Sequence, residues 1–336
     1  MSGRLEKDLI IENRIKEMIK TQPKVIAGYA QSFGRKTADT KRVYIGRVIN
    51  FCAYLKRECN IDMNNFGDIK LLNYSHIVSY IDYIKHHTPD GTYINKEDCS
   101  CAVDIYAIKH FCKYLKLCQY ISYNPCDEVE VPRDTRKRKI VSLTPDEIQT
   151  IKNNIQNGVG SKRAKSTQKK WRNRDMCIVF LGITTGMRVS AIANIDIDDI
   201  DFEEKTLVTI EKGKDERTIF LSDKMMELID AWLVDRKEIL DKHNVKCDAL
   251  FISSEKQRIG TWAIGDMLKK YTYNIDKKIT PHKLRSTAAT NLYEKTGDIY
   301  LVADVLGHKN IQNTRYYASV STKKRTFAAA ELSKLI

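Results

Sequence analysis

The sequence predicts a mainly α-helical protein with one small antiparallel sheet, built as a helical N-terminal domain followed by a mixed α+β domain. Three observations carry this reading. Apolar residues across the first 126 positions recur at helical spacing, with no strand-like alternation. A stretch at 123–148 with three prolines and a dense basic run then interrupts the pattern, placing a linker at 127–141. Beyond it, only residues 205–221 read as a β-hairpin, set among further helical segments. The chain has 336 residues, 42% hydrophobic and 30% charged, enough for two separate cores.

The elements follow in order. A helix is expected near residues 5–20. Residues 37–58 place Val43, Tyr44, Val48, Phe51, Cys52 and Leu55 on one stripe, with Thr37 and Asp39 at the start as caps. Ile77, Tyr80, Ile81 and Ile84 repeat that spacing in 74–87, and Ile105, Ile108, Phe111, Cys112 and Leu115 repeat it in 101–117. After the break, Thr144, Pro145 and Glu147 spell a capping box with proline in the first turn. Residues 176–187 read as a buried apolar helix stopped by Gly186. The hairpin follows, with "KGKD" between two β-prone runs. Helices are expected again near 223–240, 261–275, 281–294, 298–306 and 311–319. The domain plan is therefore 1–126, a linker at 127–141, a second domain over 142–320 and a C-terminal amphipathic helix at 321–336.

Composition narrows the function. The formal charge of +14 favours a polyanionic partner, and the cations cluster in 133–139 and 161–174. The segment 156–172 reads either as a DNA contact or as a disordered insertion. No apolar run approaches the roughly 20 residues that cross a bilayer, so a cytoplasmic protein with no membrane partner is expected. Nine cysteines are present, seven of them in the first 126 residues, without the Cys-x-x-Cys repeat of a structural zinc site. Several sit among apolar residues at helical spacing, which reads them as reduced thiols acting as small core hydrophobes.

Several basic residues stand out in the second half. Arg188 follows the Gly186 turn, Lys212 sits at the hairpin tip, and His282 and Arg285 lie three apart behind Thr280 and Pro281. His308 ends a helix, and Tyr316 and Tyr317 follow it. Each alone is an ordinary surface or core residue. Together they form a basic set without paired carboxylates, suited to clamping a phosphate and moving protons at it. A tyrosine hydroxyl, with a usual pKa of about 10, attacks only in such a cationic setting. Neighbours on a helix point about 100° apart, so only one of the two tyrosines can face one phosphate.

The boxes "TTGMRVS", "EKGKDERTIFL", "PHKLRSTAAT" and "LGHKNIQNTRYY", in this order, resemble the signature of the tyrosine recombinases, the phage-integrase and Xer family. The motifs cover about residues 140–320, and the N-terminal half resembles the family's helical core-binding domain in architecture only. The resemblance implies a catalytic set of Arg188, Lys212, His282, Arg285, His308 and Tyr317, the nucleophile falling nine residues after the last histidine. It implies site-specific cleavage and rejoining of double-stranded DNA through a 3′-phosphotyrosyl intermediate, by a homo-tetramer and without metal, ATP or other cofactor. One position departs from the pattern: Ala191 stands where the family commonly has an acidic residue. Two other readings stay open: a DNA-binding protein weakened in catalysis, and a type IB topoisomerase that relaxes supercoils.

Overall fold

The computed structural model describes residues 3–34, 36–132, 140–210, 216–308, 310–312 and 314. The chain divides into two compact units, the first ending at Lys137 and the second beginning at Arg138.

The first unit is helical: α1 (Gly3–Ile19), α2 (Lys24–Gln31), α3 (Ala38–Glu58), the single turn α4 (Phe66–Ile69), α5 (Tyr74–His86) and α6 (Ala102–Leu117). Thr37 caps α3 through its hydroxyl, which accepts the Thr40 N–H at 3.3 Å. Val48, Phe51, Cys52 and Leu55 face the core as expected, but Ile45 and Tyr54 join them while Val43 is only half-buried. All five apolar residues picked out in α6 are buried. They meet Tyr29 of α2, whose ring packs edge-on against Phe111 and whose hydroxyl lies 3.0 Å from His110 Nδ1. Cys52, Cys101, Cys112 and Cys126 lie in this core. The core also reaches past residue 126: Val129 is buried, and the Lys109 ammonium donates to the carbonyls of Cys126 and Val129 at 2.7 Å each.

The second unit opens with α7 (Pro145–Asn157), where Thr144 and Glu147 close the capping box in both directions. Next come α8 (Lys162–Lys169), α9 (Arg172–Thr185) and α10 (Val189–Ala193). A three-stranded antiparallel sheet follows in the order β1 (Ile200–Asp201), β2 (Thr206–Ile210) and β3 (Glu216–Phe220). Then come α11 (Asp223–His243), α12 (Thr261–Tyr271), α13 (Pro281–Thr296) and α14 (Ile299–Leu306). The hairpin register pairs Val208 with Thr218 and Thr209 with Arg217. The tip at 211–215 lies outside the described residues, as do 133–139 and 315–336. The C-terminal helix expected at 321–336 therefore falls there entirely, and the one at 311–319 falls there except for 311, 312 and 314.

Helix α9 is the axis of this unit. Met176, Cys177, Ile178, Val179, Leu181 and Ile183 are buried around most of its circumference, the pattern of a helix with protein on all sides. Helices α7, α11, α12 and α13 pack on it. A Cβ on Gly182 would come within 3.1 Å of Leu284, so the glycine lets α13 approach closely at this level. The basic segment after α7 is folded: Ser161 caps α8, and buried Gln168 exchanges two hydrogen bonds with the Val159 backbone, at 3.0 and 2.7 Å. This settles the earlier alternative of a disordered insertion for residues 162–169. Among the described residues, no helix is long and apolar enough to cross a membrane.

Candidate functional site

The candidate site forms where three helix ends meet. Helix α9 stops at Gly186, whose φ of 64° is the left-handed cap that glycine adopts without strain. A side chain there would also collide: an added Cβ would lie 2.5 Å from Leu306 Cδ2. Arg188 follows two residues later as the N-cap of α10, its carbonyl accepting the Ala191 and Ile192 N–H groups at 2.9 and 3.0 Å. Ala191, in place of an acid, packs against the core.

Helix α13 supplies the second part. Pro281 opens it with the φ a first turn requires, and Thr280 is its N-cap by backbone position, not by a side-chain hydrogen bond. His282 at this end is exposed, whereas Arg285 one turn further is only 2% exposed. Its guanidinium donates through Nη1 to Gly186 O and through Nη2 to Leu306 O, at 2.6 Å each. One planar cation thus ties the C-terminal ends of α9 and α14. Both ends carry the negative pole of a helix dipole, which favours a cation there.

Helix α14 supplies the third part. Gly307 caps it at φ 63°, and His308 follows with its N–H donating to Ala303 O at 2.8 Å. The His308 ring is half-buried, with Nδ1 2.8 Å from the buried Thr314 hydroxyl. A hydroxyl hydrogen directed to Nδ1 leaves Nε2–H as an outward donor. Burial first, and then the positive charges of Arg285, Arg188, His282 and Arg217, push the His308 pKa down to about 4. The imidazole is therefore neutral at neutral pH, in a field of cations suited to an anion.

Four of the six residues expected from sequence lie among the described residues: Arg188, His282 and Arg285, from two separate segments, each act electrostatically on the fourth, His308. Lys212 and Tyr317 lie outside the described residues. One residue was not anticipated. Arg217 of β3 pairs with buried Thr209 and lies on the same strand face as buried Ile219. It lines a cavity of about 500 Å³ together with Thr184, Thr185, Gly307 and His308. Its signal in the sequence was the alternation in "ERTIFL", which puts Arg217 and Ile219 on one side of the strand.

Known proteins resemble this chain in sequence and fold. The profile of the phage integrase family matches residues 141–324. Tyrosine recombinase XerC of Caldanaerobacter subterraneus subsp. tengcongensis is 27% identical over 313 residues, spanning 87% of this chain and 81% of that protein. Tyrosine recombinase XerD of Oceanobacillus iheyensis is 27% identical over 295 residues, spanning 82% of this chain and 94% of that protein. Among solved structures, the XerH site-specific recombinase in a post-cleavage complex with palindromic difH substrate shares the fold, with a TM-score of 0.65. That likeness covers 88% of this chain and 80% of that one at 19% identity. The chain is a member of the phage integrase family, a tyrosine recombinase of the Xer and integrase type.

Proposed function

We propose that this recombinase cuts and rejoins double-stranded DNA at a specific site, with Tyr317 as nucleophile. The observation that carries the reading is the convergence of Arg188, His282, Arg285 and Arg217 on a neutral His308. Arg188 and Arg285 stabilise the charge that builds on the non-bridging oxygens as the phosphorus becomes five-coordinate. His308 donates to one of those oxygens. The Tyr317 oxygen bonds to phosphorus, its proton leaves by way of His282, and the bond to the 5′-oxygen breaks as Lys212 protonates it. One phosphodiester replaces another, so the 3′-phosphotyrosyl link keeps the energy of the original bond, and attack by a partner strand's 5′-hydroxyl reverses the step. Arg217, on the wall of the same cavity, adds a further cation beside the phosphate.

The rest of the chain serves this chemistry in the same reading. Residues 1–126 form a core-binding unit that clamps duplex DNA with the domain at 142–320, joined by the basic linker at 127–141. Residues 321–336 dock on a neighbouring protomer in a homo-tetramer that brings two sites together through a Holliday junction, in the cytoplasm. The same strand exchange serves integration or excision of a mobile element and dimer resolution alike.

A nicked suicide duplex carrying the site tests this. Wild-type protein is expected to give a DNA-linked band on a denaturing gel, retained in Tyr316→Phe and absent in Tyr317→Phe. A band that persists in Tyr317→Phe removes the assignment.

A further inference from the structure

We infer that α8 is a second DNA-backbone contact, remote from the candidate site and independent of DNA sequence. Lys162, Arg163, Lys165 and Lys169 make up half of this eight-residue helix, and Lys170 follows at its cap. All five are exposed, and no acidic residue occurs between 158 and 174. Some lysines elsewhere pair with carboxylates: Lys41 with Glu12 at 2.9 Å, Lys205 with Asp223 at 2.6 Å, and Lys277 with Glu147 at 2.8 Å. Among the described residues, none of these five cations has an ion-pair partner.

The charges are placed against the helix's own interest. Lys162 and Arg163 occupy its first turn, beside the positive pole of the dipole, where cations are unfavourable. Lys165 repels Lys162 at i−3 and Lys169 at i+4, each pair costing a few tenths of a kcal/mol. The helix is nevertheless held firmly, by the Ser161 cap and by Gln168 on Val159. At its C-terminal end, half-buried Trp171 packs on the core with the Arg174 guanidinium 4.3 Å from its ring centroid. A rigid element carrying unpaired like charges is preorganised for a polyanion.

The partner that fits is duplex phosphate rather than an acidic protein. A duplex carries about one charge per 1.7 Å of axis, so the roughly 10 Å between Lys162 and Lys169 faces several phosphates. The exposed surface of α8 offers lysines, an arginine and the Ser161 and Thr167 hydroxyls, beside a shallow groove lined by Arg163 and Gln168. It lacks the exposed aromatic or aliphatic anchors that protein interfaces use. The α8 surface joins the start of α9, and the candidate site lies at its end, about 20 Å away along 14 residues. The inference rests on the recombinase reading only in taking DNA as the polyanion.

The test measures affinity for a random-sequence duplex against salt concentration. A variant with Lys162, Arg163, Lys165, Lys169 and Lys170 changed to Gln is expected to show a log–log slope shallower than wild type by about 2 or more, at about 0.9 per phosphate contact. Lys165→Gln/Lys169→Gln, which touches only two exposed positions, is expected to shift it by about 1 to 2 and decides the matter if the larger variant does not fold. Phosphotyrosyl formation on the suicide duplex at low salt is expected to stay at the wild-type level in both. Unchanged slopes overturn the inference and leave α8 to an acidic protein, and loss of the adduct in a folded variant overturns a role confined to backbone binding. If wild-type protein itself forms no adduct, the Tyr317 reading fails, while the slope comparison stands or falls separately.

Discussion

A buried arginine sits at each end of helix α9, Arg174 from the helix itself and Arg285 from α13, and the two are handled differently. At its start, Arg174 donates to the Asp175 carboxylate through Nε and Nη2 at 2.9 and 2.7 Å. The other oxygen of Asp175, which is 0% exposed, accepts the Tyr271 hydroxyl at 2.9 Å, with Lys270 3.9 Å away. Charge there is matched by charge. At the far end Arg285 rests on two carbonyl oxygens, which are neutral, and its field reaches His308. A buried ion pair that is fully bonded contributes to a defined structure but has little field left for a substrate. Arg285, bonded to these backbone dipoles, projects its positive field onto His308, as an anion-binding site requires.

The contrast can be broken most forcefully at Arg285. Arg285→Ala is expected to lower single-turnover adduct formation about 1,000-fold, equal to about 4 kcal/mol of barrier, and also to lower the melting temperature by freeing both helix ends. A variant that melts lower yet cleaves normally would make Arg285 a purely structural staple.

Asp175→Ala probes the opposite end. Removing the carboxylate leaves Arg174 buried without its counter-charge, so unfolding free energy is expected to fall by about 3 kcal/mol in urea titrations. Adduct formation by the folded protein at low temperature should be close to wild type. A large loss of cleavage would show that the two ends are not separate in function.

Arg217→Gln sharpens the account of the cationic end. It is expected to slow adduct formation about tenfold, or about 1.4 kcal/mol, with Arg217→Lys recovering most of the rate. Equal rates in all three proteins would confine Arg217 to packing in the strand.

The smallest effect concerns pH. The folded His308 sits at about 4, below the usual imidazole value near 6.5, so on acidification the unfolded chain takes up this proton first. The contribution of His308 to stability is therefore complete above about pH 6.5 and is lost as pH falls toward 4. His308→Gln is expected to flatten that part of the stability profile, and cleavage by wild-type protein should show no His308 titration between pH 6 and 8. An unchanged slope in the variant would mean that another group carries the dependence.

What could be read in advance followed from how local each signal is. Thr144, Pro145 and Glu147 form their capping box from neighbouring residues alone, and the α6 stripe is one helix's own periodicity. Helix α2 was missed because Pro23 starts it without a capping side chain to mark it, and strand β1 because two residues are too short to establish a period. Ile45 displaced Val43 because tertiary packing, not the ideal wheel, set the rotation of α3. At the site, the motifs named Arg188, His282, Arg285 and His308 by spacing. No spacing could reveal that Arg285 bonds to Gly186 and Leu306, positions 99 and 21 residues away. Arg217 escaped notice because a strand arginine beside a charged hairpin resembles a solvated edge until the register turns it inward.

The Gln168 lock has a consequence for how such a chain can change over generations. Because α8 is fastened at its own base through Val159, the connection from α7 to α9 can gain or lose residues and cations without altering the packing that sets Gly186. On the inferred role of α8, grip on DNA and speed of the chemistry become separately heritable traits. Selection can then retune the first by single lysine substitutions while the second stays under its own constraint.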